Sequence, residues 1–289
     1  ADKFVFPKDR NSFSRSRCAL RFVLANYLNC RADGIQFHYA EHGKPELSEP
    51  APDQLSFNLS HDGDIALIAI AHARRVGVDV NRLGRMEGTT AWVPIAKRSL
   101  SLKEQKLLFA LPQLEQEEAF FRIWTQKEAY TKARGDGFTY GFQNFTVQVN
   151  EGAGLVEDDK HPEAIGQWHI ASIGPYENKD HRYVASLSYE GARSSTRTPA
   201  PSLPESLRFA RSAGRSESRR IGIRPHQNQH RDLPPAVRKV DVNLAEVRFE
   251  PLTRFVIEGD ECFALIGSLS PNKSTGLVEL GRASRRDSV

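Results

Sequence analysis

Ile65-Ala66-Leu67-Ile68-Ala69-Ile70-Ala71, followed by His72-Ala73-Arg74-Arg75 and then Val76-Gly77-Val78-Asp79-Val80-Asn81, is the stretch on which the fold turns. The first seven residues are the longest unbroken apolar run in the chain. A bilayer span needs roughly 20 apolar residues, so the run is no membrane segment. Its length and its flanking turn residues read as a strand buried on both faces. The second segment alternates. Val76, Val78 and Val80 share one face, and Gly77, Asp79 and Asn81 share the other, because strand side chains point to opposite sides in turn. A short turn at His72–Arg75 reverses the chain, and Val76–Val80 returns as a second strand.

Upstream, Phe13–Leu28 has helical spacing at Leu20, Val23, Leu24, Tyr27 and Leu28, with Arg15, Arg17 and Arg21 near its start. Residues 41–53 read as a loop, Phe57 and Leu59 as a short strand, and Ser60-His61-Asp62-Gly63-Asp64 as a turn. Downstream, Gly84–Trp92 is a connection. Ser101-Leu102-Lys103-Glu104 is a capping box opening a helix that ends near Leu111. Glu117–Arg134 is a longer helix stopped by Gly135 and Gly137. Phe145–Val149, Trp168–Ile173 and Tyr183–Tyr189 read as strands. Helices alternating with antiparallel-type strands make an α+β fold. The expected division is 1–90, 91–190 and a tail at 191–289.

The 289 residues are 39% hydrophobic and 26% charged, a globular composition. Neither a signal-peptide core nor a membrane segment is legible, and Cys18, Cys30 and Cys262 lack metal spacing, so a reducing cytoplasm is expected. The net charge of +4 conceals an asymmetry. Residues 191–289 hold 17 Lys plus Arg against 11 Asp plus Glu, so the basic balance belongs to the tail. The Ser/Arg/Pro-rich part at 191–235 has too few aliphatics to offset its ordering entropy and is expected to be disordered. Alternation returns after Val240, with room for a strand or two around Phe255–Ile266. The first 190 residues are slightly acidic and give no reason to expect nucleic acid.

The chemistry-bearing residues each have an ordinary reading beside the functional one. Asp79 among valines is either a strand-end carboxylate in an ion pair or a metal ligand. Asn81 points the same way and offers a neutral oxygen. Glu128 and Lys132 lie one helical turn apart, as an exposed i,i+4 pair or as a carboxylate and an ammonium on the wall of a site. His61 reads as a turn histidine and Lys44 as a loop lysine. Trp124 and Phe121 read first as core.

Four segments taken in order weigh on these alternatives: Gly43-Lys44-Pro45-Glu46-Leu47; Phe57-Asn58-Leu59-Ser60-His61-Asp62-Gly63; Gly77-Val78-Asp79-Val80; and Trp124-Thr125-Gln126-Lys127-Glu128-Ala129-Tyr130-Thr131-Lys132 leading to Gly135-Asp136-Gly137. Together they resemble the Sfp-type 4′-phosphopantetheinyl transferases, over about residues 1–190. The resemblance implies a pseudo-dimer of two similar α+β halves with coenzyme A between them. It implies a holo-[acyl-carrier-protein] synthase activity, with transfer of the phosphopantetheine arm to a serine of an acyl, peptidyl or polyketide carrier protein and release of 3′,5′-ADP. It also implies Mg²⁺ held by Asp79 and Glu128, with Asn81 as a third ligand. Arg17, Lys44, Ser60, His61 and Lys132 are expected at coenzyme A phosphates. Glu128 is expected as the base and Lys132 as the acid. A monomer is expected, since two halves supply the interface.

Two departures bear on this expectation. Many bacterial members carry a second acid where this chain has Asn81, which implies a higher Mg²⁺ requirement. The tail extends well past the last strand of the resemblance. The competing readings are a non-catalytic binder of coenzyme A or carrier protein, and a nucleic-acid module in the basic tail.

Overall fold

A computed structural model describes residues 7–48, 55–84, 86, 90–150, 152–178, 181–191, 247–256 and 262–271. Helix α1 (Pro7–Leu28) is followed by a hairpin, β1 (Phe37–Tyr39) and β2 (Pro45–Leu47), whose second strand lies inside the 41–53 segment expected to be loop. Strands β3 (Leu55–Asp62), β4 (Ile65–His72) and β5 (Val76–Arg82) come next. Three helices follow: α2 (Val93–Ser99), α3 (Leu102–Ala110) and α4 (Gln113–Arg134). Then come β6 (Phe145–Val147), β7 (Leu155–Asp158), β8 (Trp168–Asn178) and β9 (His181–Glu190). In the tail lie β10 (Val247–Val256) and β11 (Cys262–Pro271). Every strand pair is antiparallel, so the mixed α+β class stands.

The run at Ile65–Ala71 is the hub. Ala66, Ile68 and Ile70 turn toward α1, packing with Leu20, Val23 and Leu24. Ile65, Leu67, Ala69 and Ala71 turn the other way, onto Val76, Val78 and Val80 of β5 and Leu187 of β9. Every residue from Ile65 to Ala71 is fully buried. Burial of each large aliphatic contributes about 1.5–3 kcal/mol, so an unbroken apolar run is what a two-sided strand requires. A third cluster packs the aromatic face of α4, with Phe120, Phe121 and Tyr130, against Trp92, Leu108, Phe145 and Trp168.

Strand β5 pairs with β9, which pairs with β8, so Asp79 sits in a sheet built from later residues. Its other edge is met by side chains of β3. Asn58 Oδ1 accepts from Val78 N at 2.9 Å, Ser60 Oγ from Val80 N at 3.3 Å, and Asp62 Oδ2 from Arg82 N at 2.8 Å. Alternate polar residues of Phe57-Asn58-Leu59-Ser60-His61-Asp62 thus satisfy the amides of a strand edge, as buried donors demand. This corrects the expected turn. Ser60, His61 and Asp62 are strand, and only Gly63-Asp64 turn the chain.

The tail holds the strands that the alternation after Val240 leads one to expect. Strand β11 pairs with β4 from Cys262 opposite Ala71 to Ser268 opposite Ile65, and β10 pairs with β11. The alternation after Val240 therefore yields two strands that complete the β4 sheet. The expected disorder at 191–235 lies, after Gly191, outside the described residues.

Candidate active site

Helix α4 lies directly on β5 because Gly77 has no side chain. A Cβ there would stand 2.2 Å from Ala129 O and 2.3 Å from Ala133 N. This close approach carries Glu128 and Lys132 up to Asp79. Gly135 then ends the helix in the left-handed region (φ 87°), its amide bonded to Thr131 O at 2.9 Å.

The result is a compact polar cluster. Asp79 Oδ1 accepts from Lys132 Nζ at 2.6 Å and from Ser60 Oγ at 2.8 Å. Asp79 Oδ2 accepts from Asn81 Nδ2 at 2.5 Å. Glu128 Oε2 lies 3.9 Å from Lys132 Nζ, so one ammonium stands between two carboxylates. Asp79, Asn81, Ser60 and Glu128 are all buried, while the Lys132 side chain keeps 31% of its surface in solvent. Among the described residues no group of three or more His, Cys, Asp and Glu forms a metal cluster. The oxygen-bearing groups here are two carboxylates, one amide and one hydroxyl.

Two more of the sequence candidates border this cluster. The His61 imidazole is pushed below its ordinary value, first by burial and then by the positive charges of Lys132 and Arg17, against the pull of Asp62 and Asp79. His61 Nδ1 contacts Ser12 Oγ of α1 at 3.2 Å. The Arg17 guanidinium stands over the Phe13 ring, 5.3 Å from its centroid.

Lys44 lies apart. Its ammonium donates to Ala133 O at 3.0 Å and Val76 O at 3.3 Å, about 10 Å along β5 from Asp79. Burial lowers it to about 8. It ties the β1–β2 turn to the ends of α4 and β5, and it lines a cavity of about 520 Å³ together with Arg74, Arg75, Arg134, His38 and Glu190. Arg75 is held there by a two-point pairing with Glu190, at 2.6 and 2.8 Å.

The sequence reading missed three groups. Ser12 contacts His61. Glu104, read only as the capping-box acid, also pairs with Lys127 in the core at 2.8 Å. Asp158 accepts from Tyr130 at 2.8 Å and from Tyr140 at 2.5 Å, anchoring the aromatic face of α4. Only the Ser101-x-x-Glu104 spacing gave a signal for any of them.

The 4′-phosphopantetheinyl transferase superfamily matches residues 75–187, and the family described as 4′-phosphopantetheinyl transferase, N-terminal, matches residues 1–73. The chain belongs to the 4′-phosphopantetheinyl transferases. It is 40% identical over 138 residues to 4′-phosphopantetheinyl transferase HetI of Nostoc sp., covering 47% of this chain and 57% of that protein. It is 30% identical over 151 residues to 4′-phosphopantetheinyl transferase psf-1 of Bacillus pumilus, covering 52% and 61%. It is 31% identical over 156 residues to the L-aminoadipate-semialdehyde dehydrogenase-phosphopantetheinyl transferase of Mus musculus, covering 51% and 50%. The chain thus spans about half the length of the curated relatives it matches. The two transferase matches meet at the β4–β5 turn and end at Leu187 in β9, so β10 and β11 lie outside both. No described helix is long and apolar enough to cross a membrane.

Proposed function

We propose that this chain carries the site that transfers 4′-phosphopantetheine from coenzyme A to a serine of a carrier protein, with Mg²⁺. The observation that carries the reading is the Lys132 ammonium between the buried carboxylates of Asp79 and Glu128. A position that holds one cation between two carboxylates suits another. The donors are all oxygen, the preference of Mg²⁺, which commonly takes one or two carboxylates and completes its shell with phosphate and water. Asp79 and Glu128 would hold it, with the Asn81 amide beside them. When bound, Mg²⁺ supplies neutralising charge to the diphosphate.

The chain's own residues do the rest. The carrier serine oxygen bonds to the phosphorus next to the pantetheine arm, and the bond from that phosphorus to the 3′,5′-ADP oxygen breaks. Glu128 takes the serine proton, directly or through a water. Lys132, released from Asp79, meets the charge on the leaving phosphate and can return a proton to it. Ser60, His61 and Arg17 bind phosphate at the same end. Lys44 acts mainly by fixing the β1–β2 turn as a wall, since its ammonium is bonded to two backbone carbonyls.

Intact-mass spectrometry of an apo carrier protein incubated with this chain, coenzyme A and Mg²⁺ tests the reading. The expected result is a gain of one phosphopantetheine, abolished by EDTA and by Asp79→Ala. Asn81→Asp restores the missing charge and is expected to lower the half-saturating Mg²⁺ roughly tenfold. No gain on any carrier, with coenzyme A still bound, would replace this reading with the non-catalytic binder.

A further inference from the structure

Ser12 joins α1 to the end of β3 through two contacts. Its hydroxyl donates to Gly63 O at 3.0 Å, and its oxygen lies 3.2 Å from His61 Nδ1. A carbonyl only accepts, and a hydroxyl has one proton to give. That proton is committed to Gly63, so the His61 contact runs the other way, with Nδ1–H donating to Ser12 Oγ. In a neutral imidazole the second nitrogen, Nε2, then carries a lone pair.

We propose that Ser12 is a positioning residue that fixes neutral His61 as its Nδ1–H tautomer, so that Nε2 can meet a phosphate oxygen only after His61 takes up a proton. The phosphate in this statement rests on the coenzyme A reading above; the tautomer does not. The groups acting on His61 are Arg17 on α1, Asp62 on β3, Asp79 on β5 and Lys132 on α4. Burial, with the two cations and against Asp62 and Asp79, favours the neutral ring, so its tautomer matters. The sign follows. Above the pKa of free His61, phosphate binding must draw a proton from solution, and affinity falls by up to about tenfold per pH unit. Without Ser12 the neutral ring can place its proton on Nε2 and donate to phosphate with no proton uptake.

The test uses the full chain labelled with ¹⁵N-histidine, with His61 assigned by the signals lost in His61→Gln. Long-range ¹⁵N–¹H correlation, at a pH where the ring is neutral, is expected to show protonated Nδ1 and unprotonated Nε2. Ser12→Ala, a change a helix accepts well, is expected to shift the ring toward Nε2–H, and Ser12→Thr to restore the original pattern. A wild-type ring carrying its proton on Nε2, or no change in Ser12→Ala, overturns the assignment. Titration with coenzyme A across pH gives the second readout: a steep loss of affinity in the wild type and a flatter one in Ser12→Ala. Equal slopes overturn the proton linkage. If no variant binds coenzyme A while the tautomers behave as expected, the coenzyme A reading fails together with the phosphate clause, and the role of Ser12 in setting the ring stands.

Discussion

Lys127 and Lys132 lie on the same helix, and each meets a carboxylate, yet they stand in opposite relations to water. Lys127 and Glu104 have no exposed side-chain surface. The Lys127 ammonium also donates to Phe142 O at 2.8 Å and to Phe145 O. Glu104 accepts from Val147 N at 2.7 Å and Ser101 N at 2.9 Å. Burial presses Lys127 downward, and Glu104 opposes it. Every polar atom in that pair is engaged, and nothing can enter. Lys132 and Asp79 make a similar bond, but Lys132 keeps nearly a third of its surface in solvent, and a second carboxylate stands nearby. The first pair fixes the rotation of α4. The second can exchange one partner for another, which a binding site requires.

Removing each lysine in turn separates the two roles. Lys127→Met leaves Glu104 charged in the core and is expected to cost about 3–5 kcal/mol of stability, read by urea denaturation. Adding Glu104→Leu should recover most of it, because an apolar pair of similar volume needs no compensation. Lys132→Ala opens Asp79 to water and leaves it the Ser60 and Asn81 donors, so it is expected to cost less, about 1–3 kcal/mol, but to lower carrier modification about a hundredfold. If the two variants lose stability equally, the distinction between a closed and an open pair fails.

A third lysine sharpens the contrast through pH. Lys44 stands at about 8 in the folded chain against 10.5 ordinarily. Between those values the unfolded chain binds more protons than the folded one, so stability rises with pH across that window. Below it the side chain is charged in both states, and the cost of burying the charge is undiminished. Relative to Lys44→Met, the wild type should therefore gain stability as pH climbs from about 8 to 10.5, measured by denaturation at a series of pH values. A flat difference would mean that the two carbonyls hold the charged form as well as water does.

The candidate site was legible to unequal degrees, for physical reasons. Strand alternation and the helical i,i+4 rule put Asp79 with Asn81, and Glu128 with Lys132, on shared faces, and the resemblance to a known family singles them out as a site. That Gly77 brings the two faces together was not legible, since the contact joins residues distant in sequence. The turn read at Ser60–Asp64 was wrong because Ser, His and Asp favour turns locally. Here Ser60 and Asp62, with Asn58, serve as side-chain acceptors for the free edge of β5. Ser12 gave no signal, because its role depends on Gly63 and His61 lying against α1. In the tail, β11 was foreshadowed by alternation, but its partner was not, as pairing register is a long-range property.

By itself the sequence determined the α+β class, the two-sided strand at Ile65–Ala71, the helix bearing Glu128 and Lys132, and the transferase motifs. The class, the strand and the helix follow from periodicity and local spacing, which a chain carries before it folds, and the motifs rest on the resemblance to a known family. Packing of distant segments decided which lysine is sealed and which stays open, which carboxylates share one ammonium, and that Ser12 meets His61. Those outcomes depend on burial and on partners from distant segments, and burial exists only once the chain has packed.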